Sequence, residues 1–142
     1  MRFMMLMIPG GYEKAAPGTM PDPKAVETMM KYNEELQKAG VLLALDGLHP
    51  PSAGVRVSFK DGKPAVSDGP FPEAKEAIGG YWMIQVKSRE EAIEWAKRCP
   101  ASSNEVIEVR RVMAMEDFSE DVEKAAAGYT ELKEKAAQQA GA

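Results

Sequence analysis

Apolar residues fill every position of Phe3-Met4-Met5-Leu6-Met7-Ile8, and Pro9-Gly10-Gly11 closes the run. A short unbroken apolar run bounded by turn residues predicts a strand covered on one face and partly on the other. A loop rich in Gly and Pro follows over 9–21. Asp22-Pro23 then marks a helix start, because aspartate caps free amides and proline at the first helical position forfeits no hydrogen bond. Ala25, Met29, Tyr32, Leu36 and Ala39 recur at helical spacing until Gly40, which predicts an amphipathic helix of about 17 residues. Val41-Leu42-Leu43-Ala44-Leu45 is too short for another helix and reads as a second buried strand. Asp46-Gly47-Leu48-His49-Pro50-Pro51 reads as its turn-rich exit.

Further on, Val55, Val57 and Phe59 alternate with Arg56, Ser58 and Lys60, a strand with one wet face. Asp61-Gly62 predicts a tight hairpin turn, since both central residues of a type I′ turn take positive φ. A returning strand over 64–67 leads into Asp68-Gly69-Pro70-Phe71-Pro72-Glu73-Ala74-Lys75-Glu76, where turn residues and charges crowd between apolar runs. Tyr81-Trp82-Met83-Ile84-Gln85-Val86 is a strand by composition. Ser88 with Glu91 predicts a capping box, Ala92, Trp95, Ala96 and Cys99 mark a helix face, and Pro100 stops it. Residues 106–113 supply a last strand.

With the hairpin set aside as an insertion, the order is βαββαβ, an α+β, ferredoxin-like arrangement whose sheet carries helices on one face only. The bare face calls for a cover, and a second copy of the sheet predicts a homodimer. The core domain is expected over 1–113 and a C-terminal helical tail over 114–142. Phe118, Val122, Ala125, Tyr129, Leu132 and Ala136 form a helical stripe there, weakened by Gly128.

Composition narrows the function classes. A chain of 142 residues, 44% apolar and 28% charged, fits one soluble domain with a real core. A net charge of -4 gives no support to a nucleic-acid or anionic-membrane partner, both of which select clustered Lys and Arg. The single cysteine, Cys99, forms no internal disulfide, so a cytoplasmic setting is expected. The apolar N-terminal run is too short to span a membrane and lacks a small-residue cleavage site.

Candidate chemistry is sparse. His49, the only histidine, can act as general base or acid near neutral pH, or serve as an ordinary loop residue. Asp68 leaves the hairpin where it can meet His49, and a carboxylate orienting a histidine is a common base arrangement; it also suits a turn. Arg56, Lys75, Tyr12 and Tyr81 are candidate substrate-binding residues, with solvated surface or core packing as their plain alternatives. No phosphate-binding glycine loop, zinc spacing or serine nucleophile elbow occurs, so neither a metal nor a tightly bound cofactor is expected. A small-molecule ligand is the class of partner left open.

The stretch 68–76 resembles the DGPF signature of the YCII-related family, and the resemblance extends to Gly40-Val41-Leu42-Leu43, Gly47-Leu48-His49-Pro50, Gly79-Gly80-Tyr81-Trp82 and Glu91-Ala92-Ile93-Glu94-Trp95-Ala96-Lys97-Arg98-Cys99-Pro100. It covers roughly residues 1–113. It implies a dimeric α+β barrel of ferredoxin-like subunits. Most members have no assigned activity. Smaller ones are thought to use a His-Asp pair, and one branch eliminates chloride from a muconate-type product. Their histidine stands on the first helix, where this chain has Tyr32 and Asn33, so a surviving pair would be His49 with Asp68; many DGPF relatives carry glutamine where His49 stands. The expectation is a cofactor-independent lyase or isomerase for a small organic acid. Relatives encoded near, or fused to, extracytoplasmic-function sigma factors suggest the alternative of a non-catalytic sensing or accessory module.

Overall fold

The computed structural model describes residues 1–141. It falls into two compact units, Met1–Val112 and the segment from Met113 onward. In the first unit β1 (Arg2–Ile8) leads through the loop to α1 (Pro23–Lys38) and β2 (Leu42–Gly47). The hairpin β3 (Val55–Lys60) and β4 (Lys63–Asp68) follows, then β5 (Gly80–Gln85), α2 (Arg89–Lys97) and β6 (Val106–Arg111). Four strands form one sheet in the order β2-β5-β1-β6, every neighbouring pair antiparallel, and β3 pairs only with β4. This is the ferredoxin-like α+β fold with an inserted hairpin. No helix among the described residues is long and apolar enough to cross a membrane.

The core lies between the two helices and one face of the sheet. Phe3, Met5 and Met7 of β1, with Trp82 and Ile84 of β5, meet Tyr32 and Leu36 of α1 and Ala92 and Trp95 of α2. Met5, Leu36 and Ile84 are fully buried, and each such side chain contributes about 1.5–3 kcal/mol by leaving water. The Tyr32 ring stands edge-on to Trp82 at 5.7 Å, and its hydroxyl donates to the Trp95 carbonyl at 2.7 Å, tying α1 to α2.

Helix starts follow local chemistry. Asp22 accepts from the Ala25 amide at 3.2 Å, and Ser88 Oγ accepts from the Glu91 amide at 3.1 Å. The capping box expected at Ser88 closes one residue early, because the Glu91 carboxylate accepts from the Lys87 amide at 2.9 Å.

The strand β2 differs most from expectation. It runs on through Asp46 and Gly47, which pair with Tyr81 and Gly80 instead of opening a turn. The register shifts between Leu42, opposite Ile84, and Ala44, opposite Met83. That bulge reverses the facing of every later residue. Leu42 and Leu45 can therefore both pack on the core while Asp46 shares the opposite face with Tyr81. An unbulged strand would have aimed the Asp46 carboxylate into the apolar layer, an arrangement costing several kcal/mol.

The hairpin closes at Asp61-Gly62, with φ of 52° and 75°, as its turn type requires. All twelve residues of β3 and β4 are exposed, including the apolar face of Val57, Phe59 and Val66, because the ribbon stands apart from the four-stranded sheet. Within the single chain the expected dry face is uncovered.

The second unit holds α3 (Glu120–Ala125) and α4 (Tyr129–Ala140). The single tail helix expected from the stripe is in fact two. Gly128, at φ 89°, breaks it, a left-handed backbone that an ordinary side chain disfavours. Val122, Tyr129 and Leu132 are exposed.

Candidate functional site

A cavity of about 380 Å³ lies between α1 and one end of the sheet. It arises because α1 packs tightly only through its second half. Tyr32 and Leu36 are buried, whereas the apolar residues nearer the helix start, Ala25 and Val26, remain exposed and overhang the hollow. Below them the sheet offers little to fill the space. Gly47 pairs directly with Gly80 on the face that carries Leu45 and Trp82, so two opposed side chains are missing where the helix would otherwise seat. A Cβ on Gly47 would meet only the Gly79 carbonyl oxygen, at 3.9 Å, whereas one on Gly80 would come within 2.9 Å of the Asp46 carbonyl oxygen. Met7, Met29 and Leu45 complete an apolar wall, with Pro21, Pro100 and Glu105 contributed by the flanking loops.

The polar groups around this hollow are few. Asn33, on α1, accepts the Trp82 indole N–H at 2.7 Å through its side-chain oxygen. Asp46 and Tyr81 both contribute to the wall, and the Tyr81 hydroxyl donates to Asp46 Oδ2 at 3.1 Å. That hydrogen bond, and then the carboxylate's charge, raise the Tyr81 phenol above its ordinary pKa. Glu105 accepts from both the amide and the hydroxyl of Ser102 at 2.8 Å. No lysine, arginine or histidine lines the cavity among the described residues.

Behind the wall, Cys99 Sγ lies 3.8 Å from Met29 Sδ. Burial, and secondarily Glu105, push its thiol up to about 12, so it is a neutral packing residue at ordinary pH.

Of the residues singled out from the sequence, Tyr81 borders the cavity and the others do not. His49 is exposed in the irregular segment after β2, and Asp68 is exposed at the end of β4. No hydrogen bond or ion pair joins the two among the described residues. The Arg56 guanidinium lies 3.9 Å over the Phe71 ring, a cation–π contact holding the signature stretch against the hairpin. Lys75 is exposed, and the Tyr12 hydroxyl donates to the Leu48 carbonyl, bracing the loop that carries His49. Gly69 is packed so closely on Pro51 that a side chain could not fit, and its amide donates to the Gly54 carbonyl at 2.9 Å. Sequence reasoning missed Asn33 as a cavity-lining group and Asp46 as anything beyond a turn. No group of three or more histidine, cysteine, aspartate or glutamate side chains among the described residues could hold a metal ion.

Comparison with known proteins agrees with this architecture. An uncharacterized protein of Rhizobium meliloti (strain 1021) is 29% identical over 76 residues, a stretch covering 54% of this chain. The match spans 61% of that relative's length. Residues 1–116 match the YCII-related domain, and the chain therefore belongs to the YCII-related family.

Proposed function

We propose that this chain is a ligand-binding member of its family, taking a small and largely apolar organic molecule into the cavity beneath α1. The observation that carries this reading is the paired absence of side chains at Gly47 and Gly80 under the unpacked start of the helix. A hollow of about 380 Å³ falls within the usual range for small-molecule sites, and its lining is mainly apolar. Binding alone is enough for a sensing or accessory role, the one associated with sigma-factor regulation by family resemblance.

The test is a cavity-filling substitution, Ala25→Leu, which keeps helix propensity while occupying the hollow. Benzene should shift the Trp82 indole resonance in the parent chain, and should do so at least tenfold more weakly in the variant. Equal shifts in both, or none in either, would remove the reading.

A catalytic role for His49 and Asp68, with Arg56 and Lys75 holding an organic acid, is the second reading. One observation favours it: His49 is exposed two residues beyond Gly47, the end of the cavity wall. A folded His49→Ala variant that turns over a discovered substrate at the parental rate would end it.

A homodimer formed through the face of the sheet away from the two helices accompanies either reading. Register places Met4, Leu6 and Ile8 of β1 on that face with Met83 of β5 and Val106 of β6; Leu6 and Ile8 are already buried within the single chain, and Met4 and Met83 are half-buried. Val106 is 56% exposed. A Met83→Glu variant should sediment as a smaller species than the parent; identical sedimentation would place any interface elsewhere.

A further inference from the structure

The orientation of one amide narrows what the cavity accepts. The indole N–H of Trp82 can only donate, so the Asn33 group facing it at 2.7 Å is the carbonyl oxygen, and no flipped assignment satisfies the pair. The Asn33 NH₂ group is thereby committed to the other direction. Among the described residues its partner is the exposed Met30 Sδ at 3.6 Å, a weak thioether acceptor, so this residue of the cavity wall keeps donor capacity to spare. Of the nearby carboxylates, Glu105 already accepts hydrogen bonds from Ser102, and Asp46 accepts from Tyr81 on the other face of the sheet. The negative charge of Glu105 repels an anion, and no cationic side chain among the described lining residues offsets it.

We infer that the cavity selects an uncharged organic molecule carrying a carbonyl acceptor, such as a ketone, ester or lactone, which receives a hydrogen bond from the Asn33 amide held in that sense by Trp82. Trp82 is a positioning residue here, and the Asn33 nitrogen makes the contact. The inference rests on the cavity reading above and adds the sign of the polar contact. It also bears on substrate class, because a free carboxylate ligand is disfavoured.

The experiment uses the full chain and three probes of similar size: acetophenone, ethylbenzene and benzoate. Binding is followed by the Trp82 indole N–H resonance in the parent, in Asn33→Ala and in Asn33→Asp. The aspartate variant still accepts from Trp82 but cannot donate, which separates the donor from the packing of the pair. Ethylbenzene leaves water more readily than acetophenone, and this difference cancels when each probe is compared between parent and variant. Both variants should weaken acetophenone about fivefold more than ethylbenzene, the size of one neutral hydrogen bond. Benzoate should bind the parent more weakly than acetophenone. If acetophenone and ethylbenzene both bind and weaken equally in the variants, the carbonyl assignment is overturned and the cavity reading stands. If neither probe moves the resonance in the parent, the cavity reading itself fails and the inference falls with it.

Discussion

The carbonyl oxygen of Pro51 lies where a side chain of Gly69 would begin: a Cβ on Gly69 would sit 1.7 Å from it. The second residue of the signature stretch is therefore fixed by a close approach of two backbone segments. Gly69→Ala should cost about 2–4 kcal/mol, since the obstacle is backbone and cannot swing aside. Gly54→Ala is the control, because its Cβ would meet the same oxygen at 3.4 Å and should cost less than about 1 kcal/mol. Urea unfolding of both variants decides it, and equal losses would show that the contact is easily relaxed.

Tyr32→Phe should destabilise the chain by about 1 kcal/mol. The larger penalty of an orphaned carbonyl does not apply, because Trp95 O also accepts from the Arg98 amide at 3.2 Å. Burial raises the Tyr32 pKa, so the hydroxyl remains a donor across ordinary pH. A loss above about 3 kcal/mol would mean that the hydroxyl does more than bridge the two helices.

Alkaline pH should weaken the fold partly through Cys99. Its thiol keeps its proton in the native chain up to about 12, against an ordinary value of 9.0. The unfolded chain loses that proton first, so this contribution is complete below about pH 9 and disappears as pH rises through about 12. Cys99→Ala should lose less stability than the parent on going from about pH 7 to about pH 10.5. Parallel pH profiles for the two proteins would refute the thiol's part in it.

Tyr81 should titrate at lower pH once Asp46 is replaced by asparagine. In the parent, removing the phenol proton breaks the hydrogen bond and sets two negative charges side by side. Ultraviolet titration of the phenolate in the parent and in Asp46→Asn reads this directly. Because the hydrogen bond is exposed to solvent, added salt should narrow the difference. An unchanged Tyr81 titration would show that the contact does not persist in solution.

Element order and the hairpin insertion were legible because each boundary has a local chemical cause, such as Asp22-Pro23, Asp61-Gly62 or the halt at Pro100. The course of β2 was not. Leu42 to Leu45 are all apolar, so the run carries no alternation from which a register shift could be read, and Asp46-Gly47 imitates a turn. Its true state depends on a cross-strand partner, Gly80, that lies 33 positions further along the chain. The same long-range pairing makes the hollow, and so the candidate site escaped notice. A clue was present in Asn33, a polar residue directly beside Tyr32 on an otherwise apolar stripe, although its partner Trp82 is 49 residues away. His49 and Asp68 drew attention by residue type, and type alone says nothing of proximity.

The hydrogen bond from the Gly69 amide to the Gly54 carbonyl makes the arm of β3 and β4 detachable in a practical sense. The two ends of the insertion already meet, so the rest of the chain is closed around a gate whose width does not depend on the length of the arm, and lengthening such an excursion adds little closure entropy. Replacing residues 55–68 by a short turn should keep unfolding of the four-stranded sheet within about 1 kcal/mol, the scale of the lost Arg56–Phe71 contact. A collapse of the sheet on excision would show that the arm is integral. The junction between Gly54 and Gly69 is thus a port at which this chain should lose or exchange its projecting ribbon while the cavity beneath α1 keeps its shape.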